Sequence, residues 1–222
     1  MLKRNIINTL SYSSLNYLIK IIAFPIIVKN FSVQDFGYYS ILSIIIASIS
    51  RIGSFELYNF LRVELPGKPK DIQISHFKSV HLVSLSILIA FLLLLLLIGG
   101  ENLILQIITY NGDLNLIRIA MIIIIPQILI MDIVRYFVSI KKIKIANALS
   151  FFNQQSYTLI ILIYYFAGYT ISIKLWIEVY FFTSFISALI GIYFLNISDL
   201  INSKFQIKHF RKAWSLCIVF LV

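Results

Sequence analysis

The chain has 222 residues, 60% of them hydrophobic and only 13% charged, with a mean hydropathy of +0.93. A soluble domain carries about 25% charged residues, so this composition leaves too little polar surface for a water-soluble globule. The formal charge of +10 raises nucleic acid as a partner, a reading that falls away once the basic residues are sorted by side of a membrane.

A helix needs about 20 mostly apolar residues to cross a hydrocarbon core roughly 30 Å thick. Six stretches qualify in chain order: residues 6–28, 37–60, 79–98, 116–137, 148–167 and 175–195. Many are rich in Ile, Phe and Tyr, which favour strands in water. Lipid offers no solvent to unpaired backbone groups and excludes open sheets, so the pattern predicts an all-α polytopic transmembrane bundle. Lys3 and Arg4 precede the first stretch as they would in a signal peptide. Its apolar run exceeds the roughly 7 to 15 residues of a signal h-region and reads as a retained membrane helix. Residues 213–222 (AWSLCIVFLV) start another apolar run that reaches only about 15 Å at helical rise. The expected organisation is a six-helix transmembrane bundle over residues 1–212 and a partial, truncated seventh helix over 213–222.

Connections alternate in composition. Positively charged loops are retained in the cytoplasm, and the N-terminus with links 61–78, 138–147 and 196–212 holds 13 of the 19 basic residues. The links at 29–36, 99–115 and 168–174, with their flanking helix ends, hold Lys29, Arg118 and Lys174 together with Asp35, Glu101, Asp113 and Glu178. A cytoplasmic N-terminus follows. The same asymmetry explains the basic pI of 9.7 without nucleic acid, because basic loops favour anionic lipid headgroups. Membrane lipids are thus expected partners and nucleic acid is not.

Charges inside hydrocarbon each cost at least a few kcal/mol unless paired or hydrated, which singles out a few residues. Lys20 lies eight residues before Val28, about 12 Å by helical rise; its amine either snorkels to the interface or faces a cavity. Thr9, Ser13, Asn16 and Lys20 share one helix face, suited either to helix association or to lining a substrate path. Arg51 and Glu56 flank Gly53, where the helix could bend; they are functional, or wet at the membrane boundary. Asp132 and Arg135 are three residues apart on one face, either a structural ion pair or part of a transport site. Pro25 and Pro126 each remove a backbone hydrogen bond from their helices and, with Gly53, are candidate hinges.

Catalytic and cofactor signatures are missing. Cys217 stands alone, no Cys/His cluster has metal-ligand spacing, and no GxSxG, HExxH or Walker A pattern occurs. No enzyme activity, metal or cofactor is expected.

One segment carries a family resemblance. Lys3-Arg4-Asn5, the run PIIVKNFSVQDFGYYSI from Pro25 to Ile41, Gly53, and LYNFLRVELP from Leu57 to Pro66 resemble the oligosaccharide flippase family of bacterial polysaccharide export, within the multidrug/oligosaccharidyl-lipid/polysaccharide transporter superfamily. Beyond Pro66 the likeness rests on helix spacing and hydropathy. The resemblance implies about 12 to 14 helices in two related bundles, this chain covering the first. It also implies residence in the bacterial inner membrane, and alternating-access flipping of undecaprenyl-pyrophosphate-linked oligosaccharide for O-antigen or capsule, alongside polysaccharide-assembly proteins. On that likeness Lys20, Arg51 and Arg135 are candidate pyrophosphate ligands, and Glu56 and Asp132 candidate ion-coupling groups. Alternatives are a drug or cation antiporter of the same superfamily and a non-functional truncated remnant.

Overall fold

A computed structural model describes residues 2–53, 57–97, 99, 114–209 and 211–212. Among them the chain is all-helical, with no strand. Eight helices follow in order: α1 (Leu2–Asn30), α2 (Val33–Gly53), α3 (Leu57–Glu64), α4 (Lys70–Leu97), α5 (Leu114–Ser139), α6 (Ile143–Phe166), α7 (Ile173–Leu195) and α8 (Ile197–Asn202).

Four of them are long and apolar enough to cross a membrane, over Asn8–Asn30, Val33–Ser50, Asn115–Ser139 and Ile173–Leu195. The sequence reading expects six. α6 carries Asn153, Gln154 and Gln155 at its centre, and α4 opens with the polar turns of Lys70, Asp71, Gln73, His76 and Lys78. The expected seventh helix lies outside the described residues.

Local chemistry sets the helix ends. At the start of α2, the Ser32 hydroxyl accepts from the Asp35 amide (3.1 Å) and donates to the Asp35 carboxylate (2.8 Å), satisfying an amide that the helix leaves free. Ser172 caps α7 by accepting from the Leu175 amide at 3.2 Å. α5 and α6 both close with paired backbone bonds to their last turn: Lys142 to Phe137 and Lys141 to Val138 in one, Tyr169 to Tyr164 and Gly168 to Tyr165 in the other. That closure requires a left-handed residue. Gly168 (φ 86°) supplies it freely, whereas Lys141 (φ 63°) adopts it with a side chain, at a cost of about 1–2 kcal/mol.

α5 is the hub. It packs against α7 most extensively and also contacts α2, α3, α4 and α6, while α1 packs chiefly on α6. The α5–α7 seam is built from small residues: Ser184, Ser187, Ala188 and Gly191 are buried on α7. A Cβ on Gly191 would stand 3.0 Å from Ile130 and Ile133, so the two backbones approach as closely as packing in lipid favours. The outward face of α7 carries Phe182, Phe185, Ile186, Leu189, Tyr193 and Phe194, all exposed. Hydroxyls and glycine inside with large apolar groups outside reverses the pattern of a water-soluble helix.

Residues 61–78, read from sequence as a polar link, are largely helical: they hold the end of α3 and the first turns of α4. Leu61 and Leu65 bury one face of this segment and Ile74, Phe77 and Val80 bury one face of α4, all in a cluster with Tyr136 and Phe137 of α5. The apolar spacing of four and three residues is thus a helical face. α1 and α5 also run unbroken through Pro25 and Pro126, each with one backbone donor fewer.

Candidate functional site

Among the described residues, two polar clusters inside the bundle stand out. The first joins three helices at their midpoints: Gln127 is twelve residues from the end of α5, Asn153 ten from the start of α6 and Ser184 eleven from either end of α7. The Gln127 amide donates to Asn153 (3.3 Å) and to Ser184 (2.7 Å), and the Asn153 amide donates back to Gln127 at 3.0 Å. All three are buried. Such bonds average about 0.6 kcal/mol in membranes, so the cluster positions helices more than it stabilises them. Two residues along from Asn153, Gln155 is fully buried, and neither of its amide atoms has a hydrogen-bond partner among the described residues.

The second cluster is charged. His81 of α4 and Asp132 of α5 meet at 2.7 Å between Nδ1 and Oδ2. Asp132 is fully buried and the His81 side chain only 7% exposed. Arg135 stands one turn along α5 from Asp132, with its guanidinium nitrogen 3.7 Å from the other carboxylate oxygen. Which of the two atoms donates follows from the tautomer of the imidazole. His81 Nε2 has no hydrogen-bond partner among the described residues, and His81 lines a cavity of ≈280 Å³ with Phe77, Lys78, Leu129 and Ile192. The ring is thus anchored at Nδ1, with Nε2 left for a further partner.

The candidate residues separate. Asp132 and Arg135 come together as their spacing predicts, and His81, absent from the candidate set, completes them. The signal for it was depth: His81 is eleven residues into α4 and Asp132 seven from the end of α5, so antiparallel helices bring them level. Lys20 is exposed on α1, with no charged or hydrogen-bonding partner among the described residues. Its polar stripe does meet α6, where Thr9 accepts from Asn147 (3.1 Å) and Asn16 donates to Gln154 (3.5 Å). The Arg51 side chain and all of Glu56 lie outside the described residues, and Gly53 ends α2. Pro126 is buried beside Gln127, whereas Pro25 is exposed. Among the described residues no three His, Cys, Asp or Glu side chains form a cluster able to hold a metal.

The three lysine-rich links gather at one end. Residues 197–209 strap across the start of α4: Ser75 donates to the Lys204 carbonyl (2.5 Å), Lys78 to the carbonyls of Ile201 and Ser203, and the Gln206 amide to Ser79 (2.7 Å). Lys70 pairs with Asp199, and Glu64 pairs with both Lys68 (2.9 Å) and Lys212 (2.7 Å). Hydrogen bonds from Lys212 and Lys68 hold the Glu64 carboxyl down at about 2.

His76 and His209 stack at 3.5 Å between ring centres within this strap. Burial, then the facing His209 and the lysines 68 and 212, push His76 down to about 4, with Glu64 opposing. Burial and Lys208 lower His209 likewise. A depressed histidine keeps the docked strap at full strength above pH 6.5 and weakens it as pH falls towards 4, because the released strap takes up the proton first. Hydrogen exchange of residues 197–209, corrected for its intrinsic pH dependence, should rise by up to roughly tenfold per pH unit between 6.5 and 4.5. In His76→Phe the dependence should flatten; protection unchanged from pH 8 to 5 would refute the coupling.

Family models, curated proteins and solved structures give no match to this chain.

Proposed function

We propose that this chain is the first bundle of a membrane transporter that flips polyprenyl-pyrophosphate-linked oligosaccharide, with the charged cluster of α4 and α5 coupling the movement to protons. The observation that carries the reading is the His81–Asp132–Arg135 cluster. Ionisable residues buried between membrane helices are costly and mark ion or substrate paths. The segments from Pro25 to Ile41 and from Leu57 to Pro66 supply the substrate class by resemblance. α4 and α6 join the four apolar helices as spans, and the lysine-rich end is cytoplasmic in a bacterial inner membrane. Arg135 remains the phosphate-facing candidate, Asp132 the coupling group, and His81 the carrier of the proton.

A buried carboxylate also suits a cationic substrate, as in the antiporters of the same superfamily. Arg135 beside Asp132 disfavours that reading, since it fills the position a cationic ligand would take.

Binding to the purified chain in neutral detergent separates these readings. A polyprenyl-pyrophosphate oligosaccharide should bind, Arg135→Gln should weaken it about tenfold, and binding should be accompanied by a proton exchange, read by calorimetry in buffers of different ionisation enthalpy, that His81→Leu abolishes. Movement across the membrane is expected only with the second bundle present. A folded chain that does not bind the oligosaccharide would overturn the proposal, and one that binds a lipophilic cation instead would favour the antiporter.

A further inference from the structure

We infer that the pocket between the start of α4 and the ends of α5 and α7 binds the phosphate of an anionic phospholipid headgroup. It requires only that the chain sits in a bilayer, so it stands or falls apart from any flipping activity. The cavity is ≈390 Å³, and its walls differ. On one side are Lys68, Lys70 and Lys142, brought from the turn before α4, its first residue and the α5–α6 turn; on the other are Phe137, Phe194 and Leu195.

Charge at this site favours an anion. Lys68, Lys70 and Lys142 line it, and among the described lining residues there is no carboxylate. Lys68 and Lys212 share Glu64, and Lys70 holds Asp199. The Lys142 ammonium is exposed with no partner among the described residues, held at the pocket by the left-handed turn at Lys141. An ammonium binds phosphate as a point charge with three donors.

The apolar wall decides which phosphate. Phe137 and Leu195 are already buried, whereas Phe194 is not, and a soluble phosphate compound would leave it uncovered and gain nothing from it. Phe194 is 47% exposed, and beside it the exposed stripe of Tyr193, Leu189, Ile186 and Phe182 runs back along α7. A phospholipid fits both halves: its phosphate lies level with the lysines and its chains run down the stripe. Basic pockets between membrane helices take acidic headgroups in this way.

The test uses the full chain in neutral detergent with phosphatidylglycerol, phosphatidylcholine or inorganic phosphate added in turn. Retained lipid is counted by native mass spectrometry and the unfolding midpoint is followed in parallel. Phosphatidylglycerol should be retained and should raise the midpoint, phosphatidylcholine should not, and Lys142→Glu should weaken retention about tenfold. The Lys142 side chain makes no hydrogen bond or ion pair among the described residues, and Lys142→Gln, with an intermediate loss, guards against an effect of the new carboxylate. Lys174→Glu, at the opposite end of α7, should change nothing. Equal retention of the two lipids, unchanged retention in a folded Lys142→Glu chain, or protection by inorganic phosphate as strong as by phosphatidylglycerol would overturn the assignment, the last in favour of a soluble phosphate compound.

Discussion

His81→Leu is expected to destabilise the bundle far more than Asp132→Leu, although each removes one half of the same 2.7 Å contact. Loss of the imidazole leaves a fully buried carboxylate with only a guanidinium at 3.7 Å, and a buried charge stripped of its partner costs roughly 3–5 kcal/mol. Loss of the carboxylate leaves an imidazole that is uncharged when deprotonated, so the penalty is that of an unsatisfied donor, about 1–3 kcal/mol. Arg135, 19% exposed, can extend its head towards water along its aliphatic stem. The double variant should then be no less stable than His81→Leu alone, since the stranded charge is gone. Unfolding midpoints of the four proteins in one detergent, combined as a double-mutant cycle, measure this. Equal losses in the two single variants would refute this asymmetry.

The second expectation is an all-or-none pattern of labelling. With Cys217 replaced by serine, single cysteines at Lys29 and Tyr169 should react with a membrane-impermeant thiol reagent on intact cells. Cysteines at Lys141 and Ser198 should react only after the cells are opened. Lys141 and Ser198 belong to the end where the strap, the α5–α6 turn and the start of α4 meet, and positive charge on that scale is retained inside. Lys29 and Tyr169 close α1 and follow α6 at the other end, which carries few basic groups. The reverse pattern would invert the bundle. Labelling of Lys141 and Ser198 on different sides would break the gathering of links on which the phosphate pocket depends.

Hydropathy made the helices legible because length and apolar content are local properties. Their ends were less so. Residues 70–78 look like a loop when Asp71, His76 and Lys78 are read alone, yet Ser75 and Lys78 are satisfied by carbonyls about 125 residues away, a distance no local pattern reports. The Asp132–Arg135 relation was readable from three-residue spacing. His81 was not, since its partner lies on another helix and only matched depth links them. The stripe of Thr9 and Asn16 was visible as a polar face, and its use against Asn147 and Gln154 answers one of the two roles left open for it. Lys20 continues that stripe without such a contact.

The amide knot of Gln127, Asn153 and Ser184 limits how this bundle can rearrange. Three helices tied at their midpoints by bonds that leave no slack must travel as one slab, since a slide of one past another would strand a carboxamide in oil. α1 is tethered to that slab by side-chain contacts to the exposed face of α6, and those can be exchanged for water without stranding a polar group. Any opening and closing is therefore borne by the outer helices swinging against a fixed plate, with the pivot at the knot.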